Sequence, residues 1–173
     1  ISIADEKILK ELFKDESSWV RKNSAMALHK HGKLSPVMIQ ALVDDSSVTI
    51  SNWALELFYE IDKNKALEIS RQRFLSLSYK DVLTSSKLIA DSGMENDFEL
   101  FVKAINTHSG YKLKRLLDSF EIYIKNLSSI KLLDKIEIVL EELEIKYKEE
   151  AYMRYIIVAL NDQLALKKKS FKK

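Results

Sequence analysis

One pattern of residues occurs twice in this chain, thirty positions apart. The matched pairs are Leu12 and Leu42, Asp15 and Asp45, Val20 and Ile50, Ser24 and Ala54, Ala27 and Leu57, and Leu28 and Phe58. In each copy the apolar residues recur at helical spacing on both sides of a short polar turn. A helix pair of this length cannot bury its apolar side alone, so neighbouring pairs stack and share one core. The repeat predicts an all-α protein, a right-handed α-solenoid of about five antiparallel helix pairs.

Turn and cap signals extend this prediction along the chain. Gly32 ends the second helix, and Ser35-Pro36 starts the third. A serine before a helix accepts a hydrogen bond from a free N–H group of the first turn. A proline at the first helical position loses nothing by lacking an N–H, because that N–H would have no partner inside the helix. Only three glycines and one proline occur, which favours long helices joined by tight turns. After the first four helices, periodic segments predict six more and no strand: 66–77, 81–90, 98–105, 113–124, 130–143 and 150–166.

The segment 12–28, LFKDESSWVRKNSAMAL, resembles the HEAT-repeat pattern of leucine, aspartate, then valine-arginine, two small residues and a leucine. In that family the aspartate and the arginine commonly pair between adjacent repeats. The resemblance therefore implies a ladder that involves Asp15, Arg21 and Asp45, with Arg21 close to Asp45. The second copy has Ser51 where arginine is usual, so one rung of the ladder is missing.

The resemblance is strongest over 8–61 and weaker over 64–91, where Leu77 stands at the aspartate position. Over 95–166 the helix pairs are inferred from periodicity alone. We expect one HEAT-like domain over 1–166, although a different helical domain beginning near residue 94 is an open alternative.

Charge is distributed unevenly. The net charge is +2, but five lysines and no acid lie in 167–173, which we interpret as a basic C-terminal tail. The rest is therefore slightly acidic. A nucleic-acid groove concentrates positive charge, so this balance disfavours nucleic acid as a partner. The chain begins with Ile rather than Met, which indicates that it was cut or trimmed from something longer.

The sequence offers little for catalysis or metal binding. It has no cysteine, and His29, His31 and His108 lack the spacing of a zinc site. The glycines are isolated, which argues against a phosphate-binding loop. Glu137 and Glu141 share a helix face, but lysines flank them, as on a solvated surface. We predict no enzyme activity, no cofactor and no metal.

The cellular location of the protein is predicted from two absences, that of cysteine and that of a long apolar segment. The absence of cysteine is compatible with a reducing compartment, so we predict a cytoplasmic protein. The longest apolar run is far shorter than the ~20 residues that a membrane span needs. The last helix has an apolar face followed by lysines, which fits either a membrane surface or the cap of a helical stack, and we prefer the cap.

Two tryptophans, Trp19 and Trp53, fall outside the core positions of the repeat. The second helices of the first three pairs would present a mixed aromatic, amide and charged surface made of Trp19, Lys22, Asn23, Met26, Asn52, Trp53, Glu56, Thr84 and Ser85. Such a mixture suits a protein or peptide partner, because tryptophan supplies a large contact area at low entropy cost. Alternatively, each tryptophan packs against an adjacent repeat or covers an exposed end.

These features predict a non-catalytic scaffold that presents a concave helical surface to a protein or peptide partner. The alternative is a nucleic-acid-binding or DNA-repair protein, similar to the helical-repeat DNA glycosylases that use tryptophans in a basic groove. No catalytic aspartate motif of that group can be matched here. The oligomeric state is left open.

Overall fold

A computed structural model describes residues 2–75 and 79–171 of the 173-residue chain. Within those ranges the chain forms ten α-helices and no strand, as the periodicity predicts. Leu77, which belongs to the weaker third copy of the repeat, lies outside the described residues. The helices are α1 (Ile3–Leu12), α2 (Ser18–Lys30), α3 (Pro36–Val43), α4 (Val48–Ile61), α5 (Lys63–Phe74), α6 (Tyr79–Ser92), α7 (Phe98–Thr107), α8 (Gly110–Asn126), α9 (Leu133–Lys146) and α10 (Ala151–Ser170). Two 3₁₀ turns, Glu95–Asp97 and Ile130–Leu132, precede α7 and α9.

Local polar groups set the helix ends. The Ser35 hydroxyl accepts a hydrogen bond from the Met38 N–H at 3.3 Å, and Pro36 is the first residue of α3. Gly32 follows α2 with φ of 65°, in the left-handed region that favours glycine. The two aspartates of the repeat have the same local role: Asp15 and Asp45 each accept a hydrogen bond from the N–H two residues later, at 2.8 and 2.7 Å.

The chain divides into two compact units, Ile1–Ala66 and Leu67–Lys173, where the sequence analysis expects a single domain over 1–166. In the first unit α1 packs against α2, and α3 packs against α4. Short turns separate the members of each pair, so the two helices run antiparallel. The expected pairing of helices is thus present in this unit.

The second helices of the first unit run parallel to each other. Arg21, near the start of α2, contacts Asp45, just before α4. His29, near the end of α2, contacts Trp53 inside α4. Because the contacts follow the same order along both helices, α2 and α4 point in the same direction.

In the second unit α6 packs against α8, and α8 packs against α10. Of the helices between them, α7 packs against α8 and α9 packs against α10. The α6–α8 contact includes a hydrogen bond between the Ser86 and Ser119 hydroxyls at 3.0 Å. Further along, the Asn126 amide donates to the Ala90 carbonyl at 3.2 Å. These contacts run in the same order on both helices, so α6 and α8 are also parallel.

An aromatic cluster fills the core of the second unit. The Phe101 ring lies 4.9 Å from the Tyr123 ring and 5.4 Å from the Phe120 ring, measured between centroids. The Tyr123 hydroxyl donates to the Met94 carbonyl at 2.8 Å, and burial raises the pKa of this phenol well above its usual value. This bond fixes the turn before α7 to the middle of the unit.

The buried side of the repeat is wider than its pattern predicts. Ala25 and Leu55, thirty positions apart, are fully buried, although the sequence analysis places neither in the core. Ala27 and Leu57, which it does place there, are only half-buried. A second helix contacts both its own partner and a neighbouring pair, so its apolar arc extends beyond one stripe.

The last helix is longer than expected. Residues Lys167–Lys169 belong to the final turn of α10, and the Lys168 ammonium lies 2.8 Å from the Glu137 carboxylate on α9. The interpretation of 167–173 as a tail is therefore wrong for this part, while residues 172 and 173 lie outside the described residues. Across the described part of the chain, each helix is too short or too polar to cross a bilayer.

Candidate partner-binding surface

Four of the predicted surface residues lie along one side of α2. Trp19, Lys22, Asn23 and Met26 are spaced three, four and seven positions apart, which places them on a single stripe of the helix. The Trp19 side chain is 72% exposed and that of Met26 is 46% exposed, whereas Lys22 is half-buried. The Asn23 amide donates to the Trp19 carbonyl at 2.7 Å, which holds it along the helix. The stripe is therefore open to solvent around two large apolar side chains.

Trp53 and Glu56 lie on α4. The Trp53 indole is half-buried and meets the His29 imidazole of α2 edge to face, with 6.0 Å between the ring centroids. Glu56 is exposed. Trp53 thus packs against the neighbouring pair, as the alternative interpretation holds. The two tryptophans have different environments although both lie outside the repeat's aliphatic positions.

Two predicted surface residues are not accessible. Asn52 is nearly buried, and Ser85 is fully buried. Ser85 lies three residues after Val82 and three before Leu88, which are both buried, so helical spacing places it on the same inner side. Its hydroxyl has no hydrogen-bond partner among the described residues. The prediction that these two side chains contact a partner is wrong, and Thr84 is only half-exposed.

Arg21 and Asp45 form the pair that the resemblance implies. The Arg21 guanidinium donates from Nε and Nη2 to the two carboxylate oxygens of Asp45, both at 2.8 Å. Its Nη1 donates to the carbonyls of Asp15 and Glu16, at 2.8 and 2.9 Å. The hydrogen bonds from Arg21 hold the pKa of Asp45 below its usual range. This bidentate pair ties the first part of α2 to the turn that precedes α4.

Asp15 and Ser51 complete this part of the structure. Asp15 contributes its carbonyl to Arg21, while its carboxylate caps the turn. Ser51 stands where a second arginine is usual, and its hydroxyl donates to the Val43 carbonyl instead. The ladder residues therefore have a structural role, and the charges of Arg21 and Asp45 are paired with each other.

The sequence does not predict a second ion pair, which is half-buried. In the second unit the Arg71 guanidinium contacts the Asp97 carboxylate at 2.6 and 2.9 Å, and Asp97 is 1% exposed. The pair forms one wall of an open cleft of about 700 Å³, which Leu75, Met94 and other residues also line. Arg71 and Asp97 lie outside the thirty-residue register, so the repeat gives no signal for them.

Across the described residues, no three histidine, aspartate or glutamate side chains are grouped closely enough to hold a metal ion. The carboxylate in the cleft, Asp97, is already engaged by Arg71. An exposed aromatic and apolar stripe lies on α2, where Asn23 supplies an amide and Lys22 a positive charge.

No protein-family model matches this chain, and neither a curated protein nor a solved structure does, so the likeness to HEAT repeats remains a resemblance carried by the repeated residues themselves.

Proposed function

We propose that this protein is a non-catalytic scaffold that binds a protein or peptide on the exposed side of its second helices. In this proposal each unit is a short solenoid of HEAT-like helix pairs, and the binding surface in the first unit centres on Trp19. The parallel arrangement of α2 and α4 supports the solenoid, because stacked pairs repeat their direction. The protein would act in the cytoplasm, without a cofactor.

The exposure of Trp19 carries this proposal. A tryptophan that leaves 72% of its side chain in water forgoes the stabilisation of burial, and Met26 lies about two turns further along the same stripe. Tryptophan and methionine are both enriched where proteins bind each other, since they supply large and adaptable apolar contacts. Lys22 and Glu56 at the border would contribute orientation more than affinity.

Nucleic acid is the weaker candidate for this surface. Of the basic residues on α2, Arg21 is engaged by Asp45, and α4 adds Glu56 and Glu60 without a basic residue. A phosphate backbone needs a continuous run of positive charge. The first unit provides no such run on its second helices.

A photo-crosslinking experiment tests the proposal. A benzophenone amino acid placed at Trp19 should capture a protein partner in a lysate of cells that make the protein, after nuclease treatment. The matched control is the same group at Val37, which is 78% exposed on the first helix of the second pair. Capture that is equal at both positions, or that nuclease abolishes, would contradict the proposal.

A substitution gives the complementary result. Trp19→Ala should lower the yield of the same partner about tenfold in an affinity capture, as expected for a central aromatic contact. Its melting temperature should stay within about 2 °C of the original, because the side chain is mostly exposed. A large loss of stability would instead assign Trp19 a structural role.

A further inference from the structure

A separate surface in the second unit combines exposed tyrosines with basic side chains. We call it the tyrosine–lysine face, and it consists of Tyr111, Lys114 and Arg115 on α8 and Tyr152 and Tyr155 on α10. The three tyrosines are 70%, 56% and 76% exposed. A single exposed aromatic side chain is ordinary on a protein surface, whereas three grouped on two adjoining helices suit a site of interaction.

The two helices meet at this face through a cation–π contact. The Lys114 ammonium lies 5.2 Å from the centroid of the Tyr152 ring, which joins the first turns of α8 and α10. Towards the other end, the Lys167 ammonium donates to the Lys125 carbonyl at 2.8 Å. Contacts in the same order at both ends make α8 and α10 parallel, so the tyrosines and basic groups lie side by side.

Charge separates the two sets of helices in this unit. The second helices α6, α8 and α10 carry ten basic and five acidic residues, whereas the first helices α7 and α9 carry three basic and six acidic residues. The tyrosine–lysine face lies on the helices that carry this excess of basic residues. A partner attracted to it carries negative charge.

The basic groups of the face are free to change partners. Arg115 meets Asp118 at 3.4 Å in a pair whose two side chains are 49% and 44% exposed, and an ion pair in that setting contributes little. An incoming carboxylate can replace Asp118 at small cost. The Lys114 ammonium carries three N–H groups, more than its contact with Tyr152 uses.

The local arrangement favours carboxylates over phosphates. A nucleic acid places a negative charge at every nucleotide, and on this face it would meet Asp118 and Glu121 as well as the basic residues. Lys114 also covers a face of the Tyr152 ring, where a base would need to stack. A peptide, by contrast, can carry carboxylates opposite Lys114 and Arg115 and no negative charge elsewhere. Its apolar side chains can then pack against the tyrosines.

We propose that the tyrosine–lysine face binds an acidic, amphipathic segment of another protein. Carboxylates of that segment pair with Lys114 and Arg115, and its apolar side chains pack on Tyr152 and Tyr155. This is helix-in-groove or helix-on-face recognition, in which charge sets orientation and aromatic contacts set affinity. The proposal concerns other helices than the Trp19 surface and does not depend on it.

Fluorescence anisotropy with synthetic peptides tests it. The probe is a fluorescein-labelled four-turn peptide with glutamate and leucine at helical spacing, compared with the same peptide carrying lysine for glutamate and with a labelled oligothymidine. We expect the acidic peptide to bind about tenfold or more tightly than either of the others. No binding of the acidic peptide, or tighter binding of oligothymidine, would overturn the proposal.

Matched variants locate the site. Lys114→Glu with Arg115→Glu should weaken binding of the acidic peptide about tenfold or more, and Lys103→Glu with Lys135→Glu should change it less than about twofold. The second variant alters the net charge equally but lies on α7 and α9, and both variants should keep the helical circular dichroism of the original. Equal losses would reveal non-specific charge attraction and refute a defined site.

The aromatic half of the face has its own test. Tyr155→Ala removes a mostly exposed ring without changing charge, so the affinity should fall about threefold while its dependence on salt stays the same. An unchanged affinity would overturn the proposal, because the contact would then rest on charge alone.

Discussion

Single residues in this protein show why a repeated pattern predicts helices more reliably than it predicts each buried position. Ser24, Ala25 and Leu28 are buried in the first copy, and Ala54, Leu55 and Phe58 occupy the same positions in the second. The sequence identifies Ser24 and Leu28 correctly but places Ala27 in the core instead of Ala25. Both alanines lie next to apolar positions, so only packing on two sides distinguishes them.

A charge introduced at these alanines separates the two positions. Ala25→Asp should lower the free energy of unfolding by about 4 kcal/mol, because it buries an unpaired carboxylate. Ala27→Asp should cost about 1 kcal/mol, since a half-buried side chain can turn towards water. Urea unfolding of both variants measures the difference. Equal losses, or a larger loss for Ala27→Asp, would contradict the burial found here.

At the scale of elements, the sequence accounts for the helices and for the turns between them. Ser35-Pro36 begins α3 and Gly32 follows α2, because capping chemistry is local and readable from neighbouring residues. The Arg21–Asp45 pair is the one that the resemblance to HEAT repeats implies. The Arg71–Asp97 pair is not predicted, because its residues lie 26 positions apart and neither belongs to a motif found in the sequence.

The candidate surface is predicted less completely than the helices. Trp19 and Met26 are exposed as expected, while Ser85 is buried. A serine suits an exposed stripe and a close contact between helices equally well, so the residue type alone does not predict whether Ser85 is buried. The tyrosine–lysine face joins residues of two helices, and only their spatial arrangement brings Lys114 to Tyr152.

The turn between α6 and α7 provides a test at this scale. Gly93 has φ of 61°, and a Cβ atom there would lie 2.6 Å from the carbonyl carbon of Asn126. Gly110 has φ of 56° but open space around it. Gly110→Ala should therefore cost about 1 kcal/mol, for the backbone conformation alone.

Gly93→Ala should cost about 3 kcal/mol, because the backbone of α8 must also move away from α6. Both glycines lie in the second unit, so one unfolding experiment compares them directly. Similar stabilities for the two variants would show that the close approach of Gly93 to Asn126 contributes nothing.

For the whole molecule, the division into two units predicts more than one unfolding transition. Both tryptophans lie in the first unit, so tryptophan fluorescence reports on that unit, whereas far-UV circular dichroism reports on helices throughout the chain. The second unit is larger and contains the aromatic cluster around Phe101, so it should be the more stable.

In urea, the fluorescence change should therefore precede part of the loss of circular dichroism, with midpoints separated by about 1 M. Trp53, half-buried beside His29, gives the larger share of the fluorescence change. Coincident midpoints would mean that the two units unfold as one cooperative body.

The parallel second helices have a consequence for how quickly each unit reaches its native state. The polar contacts that join neighbouring second helices link residues only 24 to 42 positions apart, from Arg21–Asp45 in the first unit to Lys125–Lys167 in the second. Forming such contacts closes short loops, and chains with a low contact order fold in microseconds to milliseconds. A growing chain can thus complete one helix pair and use its exposed side as the template for the next, without waiting for its C-terminal residues.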